Sequence, residues 1–168
     1  GLVMAEREQT DLIIFHVAGV HCALGCLDIQ EIIRTAKGII PVKGSSLAVK
    51  GILNLRGEIV TVLNLIQIFE LDSSKESQEM IIVTSYKGES IGLLVNEVQD
   101  VVQNEAYKRE RIGTIPHGLK NEYFSGVIER DGLLIPLLEL GAVMEADVIF
   151  NSDESTTRAK AVDGNVNA

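Results

Sequence analysis

A chain of 168 residues, 46% of them hydrophobic, has room for one domain or for two small subdomains that share an interface, because half that length alone buries too little surface. A formal net charge of −9 disfavours sequence-independent nucleic-acid binding and docking on anionic membranes, both of which need clustered Lys and Arg. Aromatic residues are only 4%, without Trp, so the core rests on Ile, Val and Leu, and that β-branched bias favours strands.

The charged N-terminal stretch Met4-Ala5-Glu6-Arg7-Glu8-Gln9 lacks the apolar character of a signal peptide, which leads to an expected cytoplasmic location. Leu12 to Ala18 alternates as a first strand, Gly19 turns, and Val20 to Cys26 returns as a second. Asp28 is placed to cap a short helix, with Ile29, Ile32 and Ile33 at helical spacing. Gly38, Pro41 and Lys43-Gly44-Ser45-Ser46 form a loop. Leu47 to Leu55 and Glu58 to Leu63 are strands joined by an Arg56-Gly57 turn, and Leu65 to Phe69 closes the first half as a short helix.

The polar run from Asp72 to Glu79 is the expected boundary. Met80 to Ser85 and Ser90 to Val95 then form a hairpin, and Gln103 to Lys120 reads as irregular, with Lys108-Arg109-Glu110-Arg111 as a charge run. Tyr123 to Ile128 and Leu133 to Leu138 make the last hairpin, and Leu140 to Met144 a short helix. Residues 1–10 and 151–168 have the polarity of flexible termini.

Two echoes mark an internal duplication. The segment Val49-Lys50-Gly51-Ile52-Leu53-Asn54-Leu55-Arg56-Gly57 and its apolar continuation return 75 residues later, with Gly126 for Gly51, Gly132 for Gly57 and Leu140 for Leu65. Ile29-Gln30-Glu31-Ile32-Ile33 returns as Val98-Gln99-Asp100-Val101-Val102 at an offset of 69. Each half supplies four or five short antiparallel strands, which avoid open edges most simply by curling into a small barrel. The expected fold is mainly β, two tandem five-stranded barrels with short helices, spanning about 11–70 and 79–145, with an exchange of strands between them allowed.

Catalytic and metal-binding patterns find little support. His16, His21, Cys22 and Cys26 fall close together, but with Ile13, Phe15 and Val17 inward His16 faces outward, and on the next strand Cys22 and Cys26 share one face while His21 lies on the other, so the four cannot converge on a tetrahedral ion. Buried free cysteines acting as small hydrophobes are the retained reading. No serine stands in a nucleophile-elbow context, and Gly51 and Gly57 flank an apolar strand instead of opening a phosphate-binding helix. No metal or cofactor is expected. His117, between Pro116 and Gly118, is the one foothold for an alternative reading, a small-ligand binding or catalytic double barrel. For Arg56, two readings stand: a charge on an exposed turn, or a planar guanidinium that orders a carboxylate or a partner's polar groups.

The stretch from Val49 to Gly57, with the strand after it, resembles the signature of the bacterial chemotaxis coupling protein family, CheW. Similarity extends through Val20 to Ile33, Met80 to Val102 and Gly126 to Leu140, so that it spans a domain of about 11–148. The resemblance implies two intertwined five-stranded SH3-like barrels and a non-catalytic adaptor joining chemoreceptors to a histidine autokinase, recruited from the cytoplasm to membrane-associated arrays. It further implies a receptor-binding groove near the junction of the two subdomains, at Ile29, Glu31, Ile33, Leu53, Asn54, Arg56 and Gly57. Arg56 is expected at that junction, exposed or half-exposed and close to a carboxylate, with Glu31 the first candidate. Contacts to the kinase regulatory domain are implied at Leu47, Val49, Lys50, Gly51, Ile91 and Leu93. Two positions depart from the family pattern: Thr61 stands in place of a proline, which the second half keeps as Pro136, and Asn64 in place of an aspartate.

Overall fold

The computed structural model describes residues 10–72, 77–111, 113 and 115–146. The expected flexible termini lie outside the described residues apart from Thr10, and the polar boundary lies partly outside them. Two sheets carry the fold. In chain order the strands are β1 (Leu12–Val17), β2 (Val20–Gly25), β3 (Ile29–Ile33), β4 (Val49–Leu55), β5 (Glu58–Asn64), β6 (Met80–Tyr86), β7 (Glu89–Val95), β8 (Glu97–Val102), β9 (Lys108–Glu110), β10 (Phe124–Arg130) and β11 (Leu133–Leu138). The short helices are α1 (Leu65–Ile68) and α2 (Leu140–Met144).

The sheets run β3-β6-β7-β5-β4 and β8-β1-β2-β11-β10-β9. Each therefore draws strands from both halves of the chain. The opening hairpin of the first half, β1–β2, sits between β8 and β11 of the second, and the opening hairpin of the second, β6–β7, sits between β3 and β5 of the first. The joins are alike as well: β3 pairs antiparallel with β6 as β8 does with β1, and β5 pairs parallel with β7 as β11 does with β2.

Alternation along these strands separates the apolar residues into three clusters. Ile13, Phe15, Val17, Cys22 and Leu24 of one sheet meet Leu63, Met80, Ile82, Leu93 and Val95 of the other, with α1 and α2 closing the same central core. The opposite faces make an inner core for each sheet: Leu53, Val60, Val62, Ile81 and Val83 in one, and Ile128, Ile135, Leu137, Leu12 and Ile14 in the other. Those two sets correspond residue for residue at the offsets of 75 and 69, so the duplication is visible in packing as well as in sequence. Strands at or next to the two ends share these inner cores: Ile33 of β3 and Leu53 of β4 pack on one, and Val102 of end strand β8 and Ile128 of β10, the strand before β9, on the other. A sheet whose two ends pack on one cluster has curled around it.

The mainly β architecture of two small SH3-like units is thus present, with four differences from expectation. Each sheet is an open run of strands and not a closed ring of hydrogen bonds, and one has six strands, because Lys108–Glu110, expected to be irregular, adds β9 to β10. Residues 29–33 form a strand and no helix; Cys26–Asp28 make a single 3-10 turn before it, so Asp28 ends that turn instead of capping a helix. The isoleucines suit both periods over so short a span, and antiparallel pairing with β6 decides for the strand. His16, expected to face outward, is only 8% exposed, because β1 is covered on both faces; its ring stacks on His21 with centroids 5.7 Å apart and its Nε2 lies 3.4 Å from Glu97. A strand buried on both sides admits a polar side chain only with partners.

The repeated glycines owe their identity to close backbone approach. A Cβ on Gly51 would stand 2.3 Å from the carbonyl oxygen of Ile40, which forms an isolated bridge to Ile52 across a bulge in β4. A Cβ on Gly126 would stand 2.9 Å from the carbonyl oxygen of Glu110, where β9 crosses the matching bulge of β10. Ile40 is therefore the first half's remnant of β9.

Both departures from the family pattern have local explanations. Pro136 has no N–H, and β11 meets β2 at a single registered pair, Leu137 with Ala23. Thr61 at the matching place retains its donor, and β5 runs beside β7 through four registered pairs, from Thr61 with Ile91 to Asn64 with Leu94. Asn64 caps α1, its Oδ1 accepting from Ile66 N at 3.2 Å, which an amide does as well as a carboxylate.

Candidate interaction surface

The turn between β4 and β5 takes two successive positive φ values, 51° at Arg56 and 86° at Gly57, the geometry of a two-residue hairpin turn whose twist matches its strands. Gly57 accepts this without cost, whereas Arg56 does not. Asn54 compensates: its Oδ1 accepts the Gly57 N–H at 2.9 Å and fixes the turn from within β4. So held, Arg56 extends its guanidinium to Glu31 on β3 and donates from Nη2 to Glu31 Oε2. The arginine side chain is 71% exposed and the glutamate 33%, so the pair is a surface feature. The hydrogen bond donated to Glu31, and then that carboxylate's charge, push the guanidinium further toward its charged form, with Glu58 adding a smaller contribution.

Because β3 and β4 are the two ends of their sheet, this ion pair spans its seam. Next to it Ser90 of β7, 8% exposed, reaches Gln30 Oε1 at 3.0 Å and Glu58 Oε1 at 3.1 Å, a hydroxyl proton serving one acceptor at a time. The other sheet has a matching feature. Arg130 Nη2 donates to Asp100 Oδ2 at 2.7 Å, linking β8 to β10. Asp100 is the duplicate of Glu31, and Arg130 stands one residue before the duplicate of Arg56. The Arg130 hydrogen bond, followed by the Val101 N–H, holds the Asp100 carboxyl below the ordinary carboxylate range. The sequence does not bring Ser90, Gln30 and Glu58 to this corner, nor Arg130 to Asp100, although the two offsets locate Asp100 directly.

Of the residues assigned to a receptor groove, Glu31, Asn54, Arg56 and Gly57 come together at one corner, and Ile29 and Ile33 are half-buried on the adjoining end strand. Leu53 is different, being buried in the inner core at 8% exposure. Of those assigned to the kinase, Leu47 is 76% exposed and Lys50 exposed, while Gly51 is buried. Val49 and Ile91, half-buried, line one groove of about 280 Å³ together with Thr61, Leu63, Tyr86 and Met144. Leu93 is completely buried in the central core, which removes it from any contact surface of this conformation.

His117 adopts φ 66° within a 3-10 turn and, with His21 and the 133–136 segment, lines a cavity of about 120 Å³. That is well below the roughly 300 Å³ at which small-molecule sites begin, and the described residues around it include no carboxylate, hydroxyl or thiol side chain. Cys22 is fully buried and its thiol is pushed up to about 12 by that burial. No helix among the described residues is long and apolar enough to cross a membrane.

Two curled sheets sharing a central core, with an ion pair at each seam, define a double SH3-like β protein. The CheW-like domain matches residues 11–148, and the chain belongs to the CheW family. It is similar to the chemotaxis protein CheW of Thermotoga maritima, 29% identical over 120 residues that cover 71% of this chain and 78% of that protein. It also resembles the CheW of Rhizobium meliloti, 24% identical over 138 residues, covering 82% and 88% respectively. Among solved structures, the scaffolding protein TtCheW of Thermoanaerobacter tengcongensis superposes with a TM-score of 0.72 at 22% identity, over 83% of this chain and 95% of that one.

Proposed function

We propose that this chain is a cytoplasmic, non-catalytic adaptor of chemotaxis that couples chemoreceptors to a histidine autokinase within membrane-associated arrays. The observation that carries the reading is the Glu31–Arg56 corner, where an asparagine-fixed turn displays an arginine already oriented by a carboxylate. A preoriented guanidinium beside half-buried isoleucines offers a helical hairpin one directional polar contact and an apolar seat. Receptor contact is assigned to Ile29, Glu31, Ile33, Asn54, Arg56 and Gly57, with Leu53 supporting them from the core.

Kinase contact is assigned to Leu47, Val49, Lys50 and Ile91, with Gly51 shaping the strand they occupy. Family membership and the scaffolding relative support the adaptor role. Binding of a receptor cytoplasmic fragment and of the kinase regulatory domain, each measured separately by calorimetry, tests the reading. Micromolar binding of both, with no thermal shift from a panel of metabolites and nucleotides, is the expected result. A ligand-dependent shift with neither protein bound favours the small-ligand alternative.

A further inference from the structure

From Ile32 to Gly57 the chain holds no Asp or Glu but five cations, Arg34, Lys37, Lys43, Lys50 and Arg56, so everything outside that stretch is more acidic than the total of −9 implies. Arg56 has Glu31 as partner. Arg34, Lys37, Lys43 and Lys50 are exposed and form no ion pair among the described residues, whereas Lys87, Lys108, Lys120 and Arg130 each do. Interleaved with the unpaired cations are three exposed aliphatic side chains, Ile40 at 60%, Val42 at 41% and Leu47 at 76%.

The segment that displays them is anchored. Ile40 exchanges two backbone hydrogen bonds with Ile52, at 2.8 and 2.9 Å, and Ser45 Oγ donates to Val42 O at 2.8 Å. Buried Ser46 accepts from Ala48 N at 3.0 Å, and Ala48 is itself buried. Ordering cost on binding is therefore partly met in the free protein.

We infer that residues 34–50 form a docking surface for an acidic protein segment in which carboxylates alternate with aliphatic side chains. Charge complementarity selects the acid, and Ile40, Val42 and Leu47 select apolar groups among those acids. A uniformly charged polyanion fits less well, since it gains nothing from the aliphatic side chains and is repelled by the acidic remainder of the chain. The inference deepens the kinase assignment at Leu47 to Lys50 and rests on it only for which protein supplies the acidic segment.

The test uses the full chain and a defined probe, a synthetic amphipathic helical peptide of Glu and Leu, against its counterpart with Lys for Glu, followed by NMR titration and fluorescence anisotropy. Expected are backbone shifts centred on Ile40, Val42 and Leu47, weaker binding at high salt, no binding of the Lys peptide, and at least tenfold loss in Lys43→Glu/Lys50→Glu with an unchanged melting temperature. Shifts elsewhere, or equal binding of the two peptides, overturn the inference. So do loop shifts produced by phosphatidylserine vesicles or by self-association when the Glu peptide gives none. A parallel titration with the kinase regulatory domain separates the two claims: a kinase that binds away from 34–50 while the Glu peptide binds there refutes the kinase assignment and leaves the docking surface standing.

Discussion

Arg130 reaches across the seam of its sheet to Asp100 at 2.7 Å, as Arg56 reaches to Glu31 across the seam of the other. Both links join a carboxylate on an end strand to an arginine at the hairpin that comes last in its half of the chain, β4–β5 in the first and β10–β11 in the second. The arginines differ in presentation. Arg56 occupies the turn itself and is 71% exposed, whereas Arg130 closes β10 and is 30% exposed. The first is displayed to a partner and the second is drawn toward its own sheet.

Arg56→Ala is expected to weaken binding of a receptor cytoplasmic fragment at least tenfold while leaving the thermal midpoint nearly unchanged, because exposed ion pairs contribute little to stability. The reversed pair Glu31→Arg/Arg56→Glu keeps the link and removes the displayed arginine. Calorimetry should find binding lost in the reversed pair as well; binding restored by the swap would mean that the link alone matters.

Asn54 acts on the same corner from inside β4. Asn54→Ala removes the acceptor for Gly57 N–H and loosens the turn, whereas Asn54→Asp retains an acceptor. Receptor affinity should fall in the first and recover substantially in the second, with the Arg56 side-chain NMR signal broadening only in the first.

The second seam gives a pH dependence of defined sign. Since the folded state lowers the Asp100 pKa, the stabilisation is present above the unfolded carboxyl value and is lost as pH falls through the folded value. Denaturant titrations below about pH 4, near the ordinary Asp value, should find a shallower acid decline in Arg130→Gln than in the parent.

Cys22 supplies the opposite limb. Its pKa rises from 9.0 to about 12 through burial, so the stability it contributes is complete below about 9 and is lost as pH rises toward 12. In native protein at pH 8 a thiol reagent should leave Cys22 unmodified, with Cys26, half-buried, reacting first.

Gly51→Ala should destabilise by about 1–3 kcal/mol or more, as overpacking does, because its Cβ meets a backbone oxygen that cannot swing aside. Gly126→Ala should cost less, its nearest contact being 2.9 Å against 2.3 Å. Leu93→Ala should lower stability by about 2–5 kcal/mol, as a core truncation does, and affect kinase binding only through folding.

The hairpins were legible in the sequence because period-two alternation ends in a turn dipeptide each time, as at Arg56-Gly57 and Asp131-Gly132. The helix expected at 29–33 was misread because three isoleucines fit either period and Asp28 imitates a cap; its echo at 98–102, also a strand, carried the same ambiguity. Glu31 could be named in advance as the carboxylate for Arg56, and the two are hydrogen-bonded. Burial of Leu93 could not be read, since β7 is buried on both faces over its last four residues and alternation there no longer tells inside from outside. Leu53 is different: β4 alternates, with Lys50 and Asn54 exposed and Gly51 and Leu53 buried, so its parity alone places Leu53 inside.

An adaptor is tested most directly by whether it carries the kinase to the receptor. With an immobilised receptor cytoplasmic fragment and purified kinase, the retained kinase should rise severalfold when this chain is added, and return to background with Arg56→Ala. Kinase retention that is the same with and without the chain, under conditions where each partner binds the chain separately, would contradict a coupling role.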